Sequence, residues 1–326
     1  MADLSRLAGN RFVIIGRAGM DFYPDPPGTK TEHATRFFAC LGGSSANIGV
    51  AITKLGGSVD LVTCVADDAI GRFALNELDA YGIGRAHVRP VGGEARNSLA
   101  VVETRVEDHQ SVIYRNGAAD FEMTVADVEA VDYAAYSALI TTGTVFAAEP
   151  SRAAAFRGFE LAREAGLPLI FDIDYRPYSW PSPAVAAEVY SRAGALCDVI
   201  VGNDVEFGFM AGGYDRGLDK ARELVARGAQ IAVYKMGENG AVTITAEGEI
   251  TTGIYRTEAL KPTGAGDSFM GGFVSGLAGG LSVRDAVLQG SAAAAMVVAR
   301  VGCAPAMPTR EELDGFLRDH AGPSAA

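Results

Sequence analysis

The amino-acid sequence predicts an α/β fold: a three-layer sandwich with a central, mostly parallel sheet, helices on both faces and a small β-sheet lid. Short apolar runs rich in Val, Ile and Leu alternate along the chain with amphipathic stretches of helical period. Strands of that kind, separated by helices, imply a parallel sheet buried on both sides. Two stretches break the alternation, and they predict the lid. Glycine-rich turns at Gly42-Gly43 and Gly264-Ala265-Gly266 each open a helical run, which is where such folds present backbone N–H groups to a ligand.

Taken in order, Phe12-Val13-Ile14-Ile15-Gly16 predicts a short buried strand. Residues 45–55 predict a helix and 59–65 the next strand. Apolar spacing at Phe73, Leu75 and Leu78 predicts a helix over 71–81. Further strands are expected at 138–142, 169–173, 198–201 and 231–234, with helices over 151–164, 184–195 and 218–227 between them. The interruptions are 21–40, which is polar and carries Pro24, Pro26 and Pro27, and 98–116. The latter reads as an antiparallel hairpin, 98–106 against 111–116, around Glu107-Asp108-His109-Gln110. Beyond Gly266 the pattern is helical at 266–278, 283–298 and 310–319. No internal repeat is visible, so one domain is expected over 1–326, with the lid contributed by about 17–45 and 92–118.

Composition narrows the function classes. A formal net charge of −12 argues against a nucleic-acid partner, which would need a basic face. No apolar run approaches the ~18 residues of a membrane span. Cys40, Cys64, Cys197 and Cys303 are scattered without metal-ligand spacing and read as buried thiols of a cytoplasmic protein. The first ten residues lack the cationic and apolar segments of a secretory leader.

Lys261-Pro262-Thr263-Gly264-Ala265-Gly266-Asp267 carries the most chemistry. The amides of Gly264, Ala265 and Gly266, backed by the positive end of a helix, form an anion hole. Asp267, at the helix start beside that hole, is placed to take a proton from a hydroxyl attacking a phosphoryl group. A glycine-rich turn with a capping aspartate is the plainer reading of the segment alone. The second turn, Leu41-Gly42-Gly43-Ser44-Ser45-Ala46-Asn47, lies roughly two hundred residues earlier. Together the two turns, in this order and separation, resemble the paired signatures of the ribokinase-like (phosphofructokinase-B type) sugar kinases, over nearly the whole chain.

That resemblance implies ATP and Mg2+ as cofactors and a small-molecule sugar as partner, with Asp267 the catalytic base. It implies that Asp21, Gly42, Gly43 and Asn47 line the sugar pocket, and that Asn203 and Glu206, an N-x-x-E motif, organise magnesium and phosphate through water. The same pair also fits a helix cap. Lys235, Gly237 and Gly240 resemble the nucleotide loop, although a hairpin turn would look alike. In that family the inserted strands cover the sugar and often pair with a second subunit, so a homodimer through the lid is implied. The run Asp172-Ile173-Asp174-Tyr175-Arg176-Pro177-Tyr178-Ser179-Trp180 resembles that of family members acting on keto-deoxy sugar acids. Asp174, where ketodeoxygluconate kinases carry Asn, shifts the expected substrate to 5-dehydro-2-deoxy-D-gluconate, phosphorylated at its terminal C6 hydroxyl. 2-Keto-3-deoxygluconate or fructose as substrate, or a non-catalytic sugar-binding role, are the alternatives. Arg176 and Arg115 are the expected carboxylate contacts. Many members also place an Asp where this chain has Lys261, and that acid helps to hold an activating monovalent cation. Lys261 either supplies a positive charge there or points into solvent.

Overall fold

A computed structural model describes residues 2–320 and 322–323. The first strand, β1 (Arg11–Ile15), sets the frame, because its side chains serve two cores. Phe12 and Ile14 pack on one side of the sheet, Val13 and Ile15 on the other. After β1 the chain leaves this sheet for β2 (Gly19–Pro24) and β3 (Phe37–Gly42), an antiparallel pair. It re-enters through α1 (Ser44–Lys54) and β4 (Ser58–Ala66), then α2 (Ala69–Ala80) and β5 (Gly84–Val91). Asp68 caps α2, accepting from the amides of Ile70 and Gly71, both at 2.9 Å. Strands β6 (Leu99–Val102) and β7 (Ser111–Tyr114) return to the small sheet.

The second half alternates regularly. It runs α3 (Val125–Glu129), β8 (Ala138–Thr142), α4 (Ser151–Glu164), β9 (Leu169–Asp172), α5 (Pro183–Leu196) and β10 (Val199–Asn203). Then come α6 (Asp204–Met210), α7 (Gly217–Ala226), β11 (Ile231–Lys235), and the strands β12 (Ala241–Thr245) and β13 (Gly248–Thr252). Helices α8 (Ala265–Ala278), α9 (Val283–Val298) and α10 (Arg310–Asp319) close the order.

The nine-stranded sheet has the order β13-β12-β11-β10-β9-β8-β1-β4-β5, parallel except where β12 pairs antiparallel with β11 and β13. From β1 the chain first works outward to β5, then restarts on the other side at β8. Sheets of this kind bind ligands at such a reversal, outside the strands' carboxyl ends. The small sheet, β3-β2-β6-β7, lies within the ranges expected for the lid. Its strands are shorter than the predicted hairpin: 103–106 and 115–116 form no strand. The predicted polar stretch 21–40 contains most of β2 and most of β3. Strands β5 and β13 carry no legible apolar run because they are half-exposed edges of the main sheet. β5 even carries Pro90, which an edge tolerates.

Candidate active site

The turn before α8 leaves backbone N–H groups free at the start of a helix. Gly264, at φ 88°, caps the helix, and a Cβ there would lie 2.8 Å from the Cys303 sulfur. Ser268 N–H closes the first turn onto the Gly264 carbonyl at 3.0 Å. The preceding amides of the helix therefore lack intrahelical acceptors. Ala265 N–H reaches only the Pro262 carbonyl, at 3.5 Å. Lys235, at the end of β11, brings its ammonium to within 3.7 Å of the position a Gly266 Cβ would occupy.

Asp267 stands in this first turn and lines a cavity of about 380 Å³. Its Oδ2 accepts from Asn47 Nδ2 at 2.9 Å, which fixes its orientation from α1. Burial, with Asp174 nearby, pushes its carboxyl up to about 6, while Asn47 and Arg176 hold it down. Asp21 on β2 is almost wholly buried and rises to about 7, first through burial and against the pull of Arg17. Gly42 makes room for it: a Cβ at Gly42 would fall 1.9 Å from Asp21 Oδ1. Gly43, at φ 94°, lets the chain pass the Arg17 carbonyl, which a Cβ would approach to 2.6 Å.

The carboxyl ends of β9, β10 and β11 supply the rest. Asp172, Asp174, Arg176, Asn203, Glu206 and Lys235 all line the same cavity. Arg176 Nη2 binds Asp174 Oδ1 at 2.7 Å, and its Nη1 donates to the Tyr175 carbonyl at 3.0 Å. Burial works to raise the Asp174 carboxyl, but Arg176 and Arg17 overcome it and hold the group below its usual value. For Asp172 burial wins: against the pull of Lys235, and with Asp174, Glu206 and Asp267 nearby, its carboxyl is driven well above the carboxylate range. Asn203 and Glu206 form a capping box. Asn203 Oδ1 accepts from Glu206 N–H at 2.9 Å, and Glu206 Oε2 from Asn203 N–H at 2.8 Å. Glu206 Oε1 also accepts from Tyr175 N–H at 3.2 Å, tying the start of α6 to the Asp174–Arg176 turn.

Asp21, Gly43, Asn47, Arg176, Asn203, Glu206, Lys235, Gly264, Gly266 and Asp267 thus share one cavity. Arg115 stands apart from it. Its guanidinium is buried against Asp120, donates to the Thr144 carbonyl at 3.4 Å and stacks over the Phe121 ring. The guanidinium expected to meet a substrate carboxylate is thus already paired with Asp120. Gly237 and Gly240 lie outside the lining and shape the turn from β11 to β12. Both have positive φ, and a Gly240 Cβ would sit 2.0 Å from the Thr252 carbonyl oxygen. Lys261 is fully buried, not solvated. Its ammonium donates to the carbonyls of Thr263 at 2.6 Å and Val297 at 3.3 Å.

Sequence reasoning passed over Arg17, Asp172 and Asp174 as site residues. The available signals were positional: Arg17 closely follows the first strand and Asp172 ends a buried one. Asp174 takes φ 38°, a left-handed conformation that nothing in the sequence announces.

An acid at a helix start, beside unfilled amides and facing buried polar side chains across a cavity, is the machinery of a group-transfer enzyme acting on an anion. Comparison with known proteins agrees. Residues 10–310 match the pfkB family carbohydrate kinase. The 5-dehydro-2-deoxygluconokinase of Photobacterium profundum is 37% identical over 311 residues, covering 94% of each chain. That of Geobacillus kaustophilus is 34% identical over 320 residues, covering 97% of this chain and 96% of its own. The structure of aminoimidazole riboside kinase from Salmonella enterica, complexed with aminoimidazole riboside and an ATP analogue, superposes with a TM-score of 0.78 at 25% identity. It covers 94% of this chain and 99% of its own. The chain belongs to the pfkB family of carbohydrate kinases.

Proposed function

We propose that the protein transfers the γ-phosphoryl group of ATP to the C6 hydroxyl of 5-dehydro-2-deoxy-D-gluconate. The observation that carries this reading is Asp267, held by Asn47 in the first turn of α8 and facing the same cavity as Asp21 and Arg176. The relatives above, named for that activity, supply the substrate. In the reaction, Asp267 takes the proton of the C6 hydroxyl as its oxygen bonds to the γ-phosphorus. The bond from that phosphorus to the β,γ-bridging oxygen breaks, and ADP leaves. A positioned base contributes ~10²–10⁴ in rate. The amides of Gly264, Ala265 and Gly266 hold the transferring phosphoryl group, at roughly 2.7–4 kcal/mol for each well-aimed donor.

Asp21, Gly42, Gly43, Asn47 and Arg176 receive the sugar acid. Asn203 and Lys235, with the turn that Gly237 and Gly240 shape, receive the nucleotide; a kinase of this fold was solved with an ATP analogue. Mg2+ when bound neutralises charge on the phosphates. Among the described residues no group of three acidic, His or Cys side chains is close enough to hold a metal alone. Both Glu206 oxygens already accept backbone N–H groups, so Glu206 suits a Mg2+ held through water and completed by phosphate oxygens. The small sheet acts as a lid on a single kinase domain. Its outer face, with Phe37, Val112 and Tyr114 exposed, is the surface for a homodimer. Among the described residues no helix is long and apolar enough to cross a membrane, and four buried free cysteines suit the cytoplasm.

The test is a kinase assay at fixed ATP over 5-dehydro-2-deoxy-D-gluconate, 2-keto-3-deoxygluconate, fructose and ribose, with the product's phosphorylated carbon read by NMR. The expected outcome is preference for the first, phosphorylated at C6. Preference for fructose or ribose would overturn the reading.

A further inference from the structure

Arg17 and Arg176 line the cavity, Arg115 lies outside its lining, and the partners of the three differ. Arg115 is spent on Asp120, the Thr144 carbonyl and the Phe121 ring. Arg176 is paired with Asp174 and bonded to the Tyr175 carbonyl. Arg17 is 6% exposed, yet no carboxylate among the described residues is within salt-bridge distance of it. Its one side-chain hydrogen bond runs from Nη1 to Ser98 Oγ at 3.3 Å. Its Nε is buried with no partner, and the side chain lines the cavity beside Asp21, Asn47 and Asp267. A buried guanidinium with no carboxylate in direct contact is costly, and a ligand that reaches it through the cavity would complete it.

The backbone keeps this residue in place before any ligand arrives. The Arg17 carbonyl accepts from Ala46 N–H in the first turn of α1 at 3.2 Å, and the left-handed Gly43 closes over it. Ser98 fixes one edge of the guanidinium from the start of β6. The remaining donors of the planar fork match the two oxygens of a carboxylate.

We propose that Arg17 is the residue that holds the carboxylate of the acid substrate and so sets the preference for sugar acids over neutral sugars. This rests on the kinase reading above. Arg17 also draws down the carboxyls of Asp21, Asp174 and Asp267. If that were its whole role, its loss would affect charged and neutral sugars alike. The ratio between them separates the two roles.

The experiment measures kcat/KM for 5-dehydro-2-deoxy-D-gluconate and for its C1 carboxamide in wild type, R17M, R17K and R176M. Thermal shift with an ATP analogue checks that each variant folds and binds nucleotide. In R17M the acid-to-amide ratio should fall at least about 30-fold, through KM for the acid and not KM for ATP, as when a buried charge pair loses one member. R17K, which keeps the charge but not the fork, should give an intermediate ratio and carries the test if R17M fails to fold. A ratio in R17M or R17K within about threefold of wild type overturns the proposal, since that lies well below the cost of losing a buried charge pair. So does a collapse in R176M alone, which would move the carboxylate to Arg176 and leave the kinase reading standing. A wild type that does not distinguish acid from amide would instead overturn the substrate reading, and this proposal with it.

Discussion

Asp267 and Asp21 set activity against stability. Their carboxyls stand at about 6 and about 7 in the folded protein, against 3.8 for an ordinary aspartate. Between these values the unfolded chain has released its protons and the folded chain still holds them. Folding stability therefore falls as pH rises from about 4 through about 7, while the ionised base proposed for catalysis appears over the same upper range. Asp267→Asn removes one of these groups, so it should stabilise the protein at pH 8 by up to about 3 kcal/mol and have little effect near pH 4. Thermal melts of wild type and variant at both pH values check this; a variant no more stable at pH 8 would contradict the buried, raised carboxyl. Lys261 gives a second prediction. Its buried ammonium already satisfies the Thr263 and Val297 carbonyls beneath the anion turn. Potassium should therefore leave the rate unchanged when choline replaces it at constant ionic strength, and several-fold activation would count against that role. At this scale the sequence named the residues of the two glycine turns, because turn and helix are contiguous there. It could not rank Arg17, Arg115 and Arg176, because their meaning depends on which carboxylates the fold brings near. The Arg115 partner, Asp120, was only five residues away.

Among the elements, the small sheet is tied to the site by its tip. His109, between β6 and β7, bonds the Glu103 carbonyl through Nδ1 at 3.0 Å and reaches Thr263 Oγ1 through Nε2 at 3.4 Å. This contact links the small sheet to the turn before α8 and is the latch of the proposed lid. His109→Ala should loosen closure, raising ATP hydrolysis in the absence of sugar several-fold while the fold and its melting temperature change little. Coupled ADP release without acceptor measures it, and an unchanged background would show that the latch does not seal the site. The sequence marked the two insertions by their broken α/β rhythm. It overstated strand length because residues 103–106 continue the chain beyond the last ladder pair, Val102↔Ser111. It missed β5 and β13 because half-exposed edge strands need no apolar alternation.

For the whole molecule, the outward face of the small sheet is an unfinished apolar surface. Phe37, Val112 and Tyr114 are 42%, 45% and 59% exposed, and Phe22 packs edge-on against Phe37 at 6.3 Å. Pairing two such faces in a dimer would bury them. Sedimentation at micromolar concentration should give a dimer that Tyr114→Asp with Phe37→Asp converts to a monomer; a monomeric wild type would refute the pairing. The nine-stranded core was legible because buried parallel strands and amphipathic helices each carry their own period. The site is harder to read, since it gathers the ends of β1, β9, β10 and β11 from across the sequence at one edge. At that edge Asp267 is the proposed base that deprotonates the sugar. The direct measurement is the rate of ATP-dependent phosphorylation of 5-dehydro-2-deoxy-D-gluconate by wild type and Asp267→Asn, with nucleotide affinity measured alongside. The account predicts a fall in kcat of about 10²–10⁴ with ATP affinity retained, whereas a variant turning over at nearly the wild-type rate would contradict it.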